Sequence, residues 1–362
     1  MQDGTFLLFS GYNDRAVIAL CRFFHSQHLP FAIVAADHND SIFKTSWKSN
    51  VILTRDDRLI DLRLFTRIRN VATELGIRSL IYCPTTEFSN VFVLAHRQDL
   101  QTMGWHIPMP SESLYLLLSN KATSHALIHQ VCGIHPPPHL NWHEAASPCV
   151  FKPKTNVGDE RVNYPLICLS ESEVLRAKSV LNPDNWFAQT YIKGQSHYLC
   201  GYLARDGRRS YFWQLNLLQQ SGGKSIVLAR TGHNPGLDEE ALFDRLSSVG
   251  YFGPWMMELL QDSSGTLHFV EVNPRFWGPL QLAVDVCPRI LHLFSSDSGH
   301  STDDFHCDTS SIYWYAWAHG RRAATCMYFP AADSLTAPEI DELIAQHDVY
   351  GREDTAALHG KH

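Results

Sequence analysis

The first hundred residues alternate between short apolar runs and longer amphipathic segments. Short apolar runs are typical of buried β-strands, and segments with apolar residues on one side are typical of α-helices. The predicted strands are Thr5–Ser10, Phe31–Ala36, Val51–Leu53 and Ser79–Cys83, and the predicted helices are Asn13–His25, Leu62–Leu75 and a segment through Phe92 and Leu94. Because strands that alternate with helices favour a parallel sheet, we predict a Rossmann-like α/β domain over residues 1–112.

The turn after the first predicted strand argues against a dinucleotide site in this domain. It reads SGYNDR, with Gly11 as its glycine, and Asp37 follows the second strand. The G-x-G-x-x-G fingerprint needs further glycines so that the backbone can approach a pyrophosphate closely. We therefore interpret residues 1–112 as a scaffold domain.

A second region, residues 113–193, begins with a helix that has clear boundary signals. Ser119 or Asn120 can cap its N-terminus, Lys121 opens its first turn, and Gly133 closes it. The segment IHPPPH that follows cannot be helical, because proline lacks the required N–H group. The predicted strands of this region are Cys149–Lys154 and a strand and turn over Asn185–Gly194.

The remaining residues, 194–362, contain longer strands joined by short turns. The sequence RDGR separates a predicted strand pair, Tyr198–Leu203 and Arg209–Leu217, and QDSSGT separates the apolar runs WMMELL and HFVEVN. Further predictions are strands at Ile226–Ala229 and Ser311–Ala318 and helices at Leu237–Val249, Trp277–Val286 and Pro338–Gln346. Hairpin-connected strands predict an antiparallel sheet, so this part belongs to the α+β class.

Two carboxylates lie inside the apolar runs of the second hairpin. Glu258 belongs to WMMELL and Glu271 to HFVEVN. Buried carboxylates on neighbouring strands repel each other, so a cation between them is the economical explanation. Asn273 and Arg275 follow on the same face of the extended chain as Glu271. An all-oxygen set suits Mg²⁺ or Mn²⁺ rather than Zn²⁺. The alternative is a pair of edge-strand glutamates that face water.

Composition excludes several classes of function. A formal charge of −7 with no basic stripe argues against a nucleic-acid partner. The N-terminus lacks the pattern of a signal peptide, and no apolar window reaches the length of a membrane span, so we expect a cytoplasmic protein without a membrane partner. The nine cysteines are scattered without a C-x-x-C pair, which favours free thiols.

The pattern E…E-x-N-P-R formed by Glu258, Glu271, Asn273 and Arg275 resembles the metal-binding signature of the ATP-grasp superfamily. Its carbamoyl-phosphate-synthetase-like and carboxylate–amine ligase members are the most similar. The resemblance spans about residues 118–286. It implies a Rossmann-like domain, then an ATP-grasp lid over residues 113–193, then an antiparallel core that holds ATP and Mg²⁺. In this family the first domain may contribute to the second substrate's site, with Glu87 as a candidate.

The resemblance also implies a role for residues of the lid. Lys121 matches a lysine that contacts nucleotide phosphate, and Lys152 one that reaches the α- and β-phosphates. Gly158 belongs to the segment that matches the phosphate-covering loop, although this segment has fewer glycines than is usual. Solvated or snorkelling lysines are the alternative for both positions.

The adenine site is implied by the segment NWFAQTYIKG. Gln189 falls where the family often meets the adenine amino group, and the backbone of Tyr191 and Ile192 would read the purine edge. Ser196 replaces an acid that contacts ribose in many members. For Gln189 alone, an ordinary strand residue is an equally open interpretation.

The activity that the resemblance implies is ADP-forming ligation of a small carboxylic acid to an amine, such as an amino acid or a peptide-like compound, through an acyl phosphate. Arg275 and Arg230 are the candidate catalytic residues, and a surface position is the alternative for Arg230. A small-molecule kinase and a non-catalytic nucleotide-binding module remain alternatives. A homodimer is compatible with the sequence.

Overall fold

Three β-sheets organise the part of the chain that the computed structural model describes, which is residues 4–55, 60–154, 164–300, 307–308 and 310–359. One sheet is parallel and two are antiparallel, and the chain forms them in the order N-terminal sheet, lid sheet, core sheet. The predicted combination of α/β and α+β architecture is confirmed.

The N-terminal sheet has the strand order β3-β2-β1-β4-β5. Its elements are β1 (Thr5–Phe9), α1 (Asp14–Ser26), β2 (Phe31–Ala35), β3 (Val51–Thr54), α2 (Leu62–Glu74), β4 (Leu80–Tyr82), α3 (Glu87–Ala95), α4 (Arg97–Thr102) and β5 (Trp105–His106), with short 3₁₀ helices at Ser41–Lys44 and Ser46–Asn50. Alternate residues of β1 enter two different hydrophobic clusters, because helices cover both faces of the sheet. The predicted Rossmann-like sheet is therefore confirmed.

The lid sheet has the order β6-β9-β7-β8. Its elements are α5 (Glu112–Ser119), α6 (Lys121–Cys132), β6 (His139–Leu140), β7 (Cys149–Pro153), β8 (Leu166–Cys168), α7 (Glu171–Val180) and β9 (Trp186–Thr190). The predicted boundaries of α6 are confirmed. The Asn120 side chain accepts hydrogen bonds from the backbone of Ala122 and Thr123, and Gly133 ends the helix with a φ of 65°.

The core sheet has the order β14-β13-β10-β11-β12-β15, and β16 also pairs with β11. Its strands are β10 (Gly194–Leu203), β11 (Arg209–Gln220), β12 (Ile226–Thr231), β13 (Gly253–Asp262), β14 (Leu267–Asn273), β15 (Trp314–Ala316) and β16 (Cys326–Tyr328). The helices that accompany it are α8 (Glu239–Ser248), α9 (Leu280–Val286), α10 (Arg289–Asp297), α11 (Ala318–Ala323), α12 (Ala337–His347) and α13 (Ala356–His359), with 3₁₀ helices at Pro330–Ala332 and Glu353–Thr355.

The N-terminal and core sheets share one hydrophobic core. The ring of Phe294 lies 5.5 Å from that of Phe6 in β1 and 5.1 Å from that of Phe276, which follows β14. The backbone N–H of Phe276 donates to the carbonyl of Pro84, at 2.9 Å. These contacts hold the end of β14 against the carboxyl end of β4.

One expectation about the cysteines is wrong. Cys287 and Cys307 are paired in a disulfide with their Cα atoms 4.1 Å apart, whereas the other seven cysteines are free. The partners are separated by 20 residues, and only the folded chain brings their side chains together. In the described ranges, the helices are too short or too polar to cross a bilayer.

Candidate functional site

The site is centred on two carboxylates that face each other across adjacent strands. Glu258 in β13 is the direct register partner of Glu271 in β14, and the register shifts between Glu258 and Leu259. The apolar residues around Glu258 explain why this segment forms a central strand, and the side chain is only 9% exposed. Two carboxylates are therefore held side by side in a poorly solvated position.

Burial changes the proton affinity of Glu258. Loss of solvent contact raises the pKa of its carboxyl to about 7, and the nearby Glu271 carboxylate adds to the rise. The Lys152 ammonium and a hydrogen bond from Ser196 oppose it. At neutral pH this carboxyl group is therefore partly protonated.

Glu271 has the opposite behaviour because its partners are closer. Burial alone would raise its pKa, but the ammonium of Lys121 lies 2.7 Å from its Oε2 atom, and the amide of Asn273 donates to its Oε1 atom at 2.7 Å. These contacts, with Lys152 further away, lower the pKa of Glu271 to about 2. Glu271 is therefore an anion at any physiological pH.

Lys152 lies in β7 of the lid sheet and is buried against the carboxylates. Burial and the positive charge of Lys121 lower the pKa of its ammonium to about 8, whereas Glu271 and Glu258 act to raise it. Its side chain is as buried as the strand residues around it. A buried ammonium at this place favours an anionic ligand.

Asn273 and Arg275 continue the same face. The guanidinium of Arg275 donates to Asn273 Oδ1 at 2.9 Å and to the Phe276 carbonyl at 3.3 Å. Two carboxylates and one amide oxygen are a suitable donor set for a hard cation. Among the described residues, no group of three or more His, Cys, Asp and Glu residues is placed to hold a metal ion.

One further observation indicates that these residues can hold a cation. The Lys121 ammonium lies 2.7 Å from Glu271 Oε2, so this carboxylate already pairs with a cation, whereas Glu258 accepts a hydrogen bond from Ser196. A divalent ion between the two carboxylates would neutralise the charge of both.

Buried polar side chains form a series of hydrogen bonds that ends at Glu258. Ser196 Oγ donates to Glu258 Oε1 at 3.3 Å, Asn216 Nδ2 donates to Ser196 Oγ at 2.8 Å, and Gln214 Nε2 donates to Asn216 Oδ1 at 2.7 Å. The sequence analysis did not identify Gln214 and Asn216. They could have been recognised in the sequence as two amide side chains, two positions apart, inside a largely apolar strand.

All of these charged groups line one cavity of about 1100 Å³, which is partly open to solvent and to which all three sheets contribute. Nine of the predicted site residues line it: Lys121, Lys152, Gln189, Tyr191, Ile192, Glu258, Glu271, Asn273 and Arg275. Gly158, which was predicted to lie in the phosphate-covering loop, falls outside the described residues.

Arg230 is not brought to this cavity, although it was a candidate catalytic residue. It pairs with Leu215 in β11 and Trp314 in β15, and its guanidinium donates to the Thr231 carbonyl. Its neighbour Ala229 is part of the core on the cavity side of the sheet. Because successive strand residues face opposite sides, Arg230 lies on the other face.

Gln189 has an unsatisfied group in the cavity wall. Its Nε2 atom donates to the Pro137 carbonyl at 3.0 Å, and its Oε1 atom has no hydrogen-bond partner in the described part of the chain. The residue is 0% exposed. A buried acceptor without a partner is costly, so this oxygen favours a ligand that donates a hydrogen bond.

The N-terminal sheet also contributes to the cavity. Tyr12, Asn13 and Arg15 follow β1, and the segment from Thr85 to Phe88 follows β4. Of these, the sequence singled out only Glu87, because of its place after a strand end. The others were missed, since nothing local to them indicates which part of the chain packs against them.

Comparison with known proteins gives a likeness in structure alone. No family model and no curated protein sequence match the chain. The biotin carboxylase domain of Hydrogenobacter thermophilus 2-oxoglutarate carboxylase, solved with MgADP, ADP and bicarbonate, has a TM-score of 0.63 at 15% identity over 88% of this chain and 75% of that one.

Two further solved structures have similar values. Biotin carboxylase from Campylobacter jejuni has a TM-score of 0.61 at 13% identity and covers 83% of this chain and 72% of that one. The ADP complex of N5-carboxyaminoimidazole ribonucleotide synthetase has a TM-score of 0.59 at 13% identity, over 81% and 77%. Both proteins are ATP-grasp enzymes, and the chain described here has the ATP-grasp fold that its motifs resemble.

Proposed function

We propose that this protein is an ATP-dependent ligase that joins a small carboxylic acid to an amine and releases ADP and phosphate. The observation that carries the proposal is the pairing of Glu258 with Glu271 across β13 and β14, in a cavity that Lys121, Lys152 and Arg275 also line. This arrangement provides paired anions for a metal ion and three cations for phosphate within one cavity.

In this proposal the nucleotide base lies at the junction between the lid and core sheets. The unpaired Oε1 atom of Gln189 would accept a hydrogen bond from the adenine amino group, and the backbone of Tyr191 and Ile192 would contact the purine edge. The buried Lys152 would contact the α- and β-phosphates, where a compact ammonium is effective. The segment that contains Gly158 would cover the phosphates.

Glu258, Glu271 and Asn273 would hold Mg²⁺, or Mn²⁺ in its place. When bound, the metal would neutralise the charge of the triphosphate and polarise the transferred phosphoryl group. Asn273 would need to present its amide oxygen, which now accepts from Arg275. Lys121 would then be released from Glu271 to contact phosphate. A solved structure of similar fold contains MgADP, which supports the proposed use of ATP and Mg²⁺.

The proposed reaction has two displacement steps. An oxygen of the substrate carboxylate attacks the γ-phosphorus, the bond to the β-phosphate oxygen breaks, and ADP leaves. The amine lone pair then attacks the acyl carbon, and the bond from that carbon to the phosphate oxygen breaks. Inorganic phosphate leaves and the nitrogen loses one proton to solvent. Arg275 would orient the carboxylate and stabilise charge on the phosphoryl oxygens.

The proposed substrates are a small carboxylic acid and an amine of the amino-acid or peptide-like class. Cytoplasmic location and a homodimeric state are part of the same proposal. The lid would need to close over the cavity and exclude water, because an acyl phosphate is hydrolysed when water has access to it.

The proposal is tested by measuring ADP and phosphate release across pairs of amino acids and small carboxylic acids, with mass spectrometry of the products. We expect equal amounts of ADP and phosphate together with an amide product for at least one pair. ADP without free phosphate would indicate a kinase. No ADP from any pair would contradict an enzymatic role and favour a nucleotide-binding module.

The substitution Glu271→Gln tests the metal assignment. It removes one of the two facing carboxylates and the partner of Lys121, so we expect ADP formation to fall by on the order of a hundredfold or more while the circular dichroism spectrum is kept. The matched control is Glu74→Gln, at an exposed position in the last turn of α2, which should leave ADP formation unchanged. Full turnover in Glu271→Gln would refute the assignment.

A further inference from the structure

Tyr198 lies beside the paired carboxylates, on the next strand of the core sheet. It is in β10, as the register partner of Glu258 in β13, and Glu258 is in turn the partner of Glu271 in β14. Directly opposed residues of antiparallel strands project from the same face, with their Cβ atoms about 5 Å apart. Tyr198 lines the cavity and is only 5% exposed. Its side chain therefore flanks Glu258 on the side away from Glu271 and from Lys121, which pairs with Glu271.

The hydroxyl of Tyr198 differs from those of the other buried tyrosines in its hydrogen bonding. Elsewhere in the described ranges, the hydroxyl of each buried tyrosine forms a hydrogen bond with a protein group, at Tyr82, Tyr115, Tyr202, Tyr251 and Tyr315. The Tyr198 hydroxyl has no such partner among the described residues. A buried hydroxyl without a partner is costly, and phenylalanine would fill the same space. This oxygen therefore favours a ligand in the cavity.

The Tyr198 hydroxyl is a neutral hydrogen-bond donor. A tyrosine hydroxyl ordinarily has a pKa of about 10, and burial raises the pKa of Tyr198 further. The negative charges of Glu258 and Glu271 add to the rise, and the positive charge of Arg15 opposes it. The side chain belongs to the hydrophobic cluster that contains Trp277, so packing fixes the direction of the ring. The cavity thus contains a proton-bearing hydroxyl in a defined position.

The proposed reaction includes one oxygen that a neutral donor would suit. The phosphoryl oxygens are negative from the start and would be bound by the metal ion and by Lys121, Lys152 and Arg275. The acyl oxygen gains negative charge only when the amine attacks the acyl carbon. A donor that contacts this oxygen lowers the barrier of the second step, because the hydrogen bond strengthens as the charge develops.

We propose that Tyr198 is a catalytic residue whose hydroxyl donates a hydrogen bond to the acyl oxygen while the amide bond forms. The inference rests on the proposed ligase function and assigns a residue to its second step. The amine lone pair attacks the acyl carbon, and an electron pair of the carbonyl bond moves onto the acyl oxygen. The Tyr198 O–H group donates to this oxygen and keeps its proton. The carbonyl bond then re-forms, the bond to the phosphate oxygen breaks, and the nitrogen loses one proton to solvent.

The test compares the two steps in the substitution Tyr198→Phe, which removes the hydroxyl and keeps the ring. Single turnovers with the full chain in excess over ATP, in the presence of Mg²⁺, are quenched at successive times, and ADP, phosphate and amide are measured in the same samples. The substrates are the acid–amine pairs, drawn from the standard amino acids, acetate, succinate and benzoate, that give an amide with the parent. We expect amide formation to slow about a hundredfold, the usual cost of one oxyanion donor, and ADP formation to change by less than about threefold. Phosphate release without amide should rise, because the acyl phosphate that persists is hydrolysed.

Tyr202→Phe is the matched control. Tyr202 lies in the same strand and on the same face as Tyr198, but its hydroxyl donates to Asp297 at 3.1 Å and the residue does not line the cavity. We expect this variant to keep the parent's rates for both steps and to melt at a lower temperature, because it loses a buried hydrogen bond. Tyr198→Phe should melt at the parent's temperature or above it, since it loses no hydrogen bond within the described part of the protein.

The outcomes separate this inference from the ligase proposal. Amide formation at the parent's rate in Tyr198→Phe would overturn the inference and leave the ligase in place. Equal slowing of ADP and amide formation would assign the hydroxyl to the first step or to the metal site, and a melting temperature as low as that of Tyr202→Phe would assign it to the fold; either result overturns the inference. If the parent forms no amide with any pair, the ligase proposal fails on the parent alone, and the step assigned to Tyr198 fails with it.

Discussion

Two identical side chains in this site have opposite acid–base behaviour because their neighbours differ. Lys121 lies 2.7 Å from Glu271 and has no comparable contact with Glu258, which relies on a hydrogen bond from Ser196. The pKa of Glu258 therefore rises to about 7, and that of Glu271 falls to about 2. Neutral and anionic carboxyl groups can thus stand side by side without strong repulsion near pH 7.

We expect a stability effect from Glu258 in the protein without metal. Its folded pKa of about 7 lies above the ordinary value of 4.5, so the folded state binds this proton more tightly than the unfolded state does. Its contribution to the free energy of unfolding is then full below about pH 4.5 and is lost as the pH rises through 7. Thermal unfolding between pH 5 and 8 in a chelator should show this decline.

The variant Glu258→Gln isolates the effect. Glutamine cannot titrate, so we expect the melting temperature of this variant to change less with pH over the same range than that of the parent. Glu144→Gln, at an exposed position in the lid, serves as the control and should keep the parent's pH dependence. Parallel curves for Glu258→Gln and the parent would contradict the raised pKa.

Site residues that lie two positions apart on one strand could be predicted from the sequence. Contacts between site residues on different strands could not. Glu271, Asn273 and Arg275 share a face because they are two positions apart, which the sequence displays directly. Asn216 and Ser196 are 20 residues apart and meet only because β10 pairs with β11 in a specific register. Arg230 had the right residue type at a strand end, but the sequence alone did not show which face of the sheet contained the cavity.

At the level of elements, α6 was predicted well from its local boundary signals, whereas α7 was not predicted although Ser170 and Glu173 form a capping box at its start. Asn120 and Gly133 delimit α6 through their own backbone and side-chain preferences, so no tertiary information was needed. The strands β5, β6 and β16 have two or three residues each and were not predicted. Such short strands form because a neighbouring strand provides hydrogen-bond partners. The local sequence pattern does not show where that neighbouring strand lies.

The cap of α6 gives a prediction at this scale. Asn120→Ala removes the acceptor for the N–H groups of Ala122 and Thr123, so we expect a loss of about 1 kcal/mol in the free energy of unfolding. Because Lys121 is the next residue, ADP binding should weaken as well. Urea unfolding and ADP titration measure the two effects. Asn120→Asp keeps an acceptor oxygen and should retain both properties; equal losses in the two variants would exclude capping as the cause.

For the molecule as a whole, Arg22 joins segments that are far apart in the sequence. It lies in α1, and its guanidinium donates to both carboxylate oxygens of Asp354, to Gln281 in α9 and to the Val349 carbonyl. The side chains of Arg22 and Asp354 are 9% and 17% exposed. The C-terminal segment is thereby fastened to the N-terminal domain.

We expect Arg22→Ala to lower the free energy of unfolding by about 3 kcal/mol, since it leaves a largely buried carboxylate without its partner. The comparison is Arg208→Ala, which breaks an ion pair with Asp206 whose side chains are about half exposed. That change should cost less than about 1 kcal/mol. Denaturant unfolding of both variants measures the difference, and similar losses in the two would show that burial of the Arg22 pair is not decisive.

The hydrophobic core that Phe6 and Phe24 share with Phe276 and Phe294 has a consequence for redesign. Exchanging the first 112 residues for those of another protein, as a means to graft a new specificity, would remove half of a continuous aromatic cluster and leave the turn after Arg275 without its support. The two short segments that follow β1 and β4 line the cavity, and exchanges of single side chains there leave this shared cluster in place.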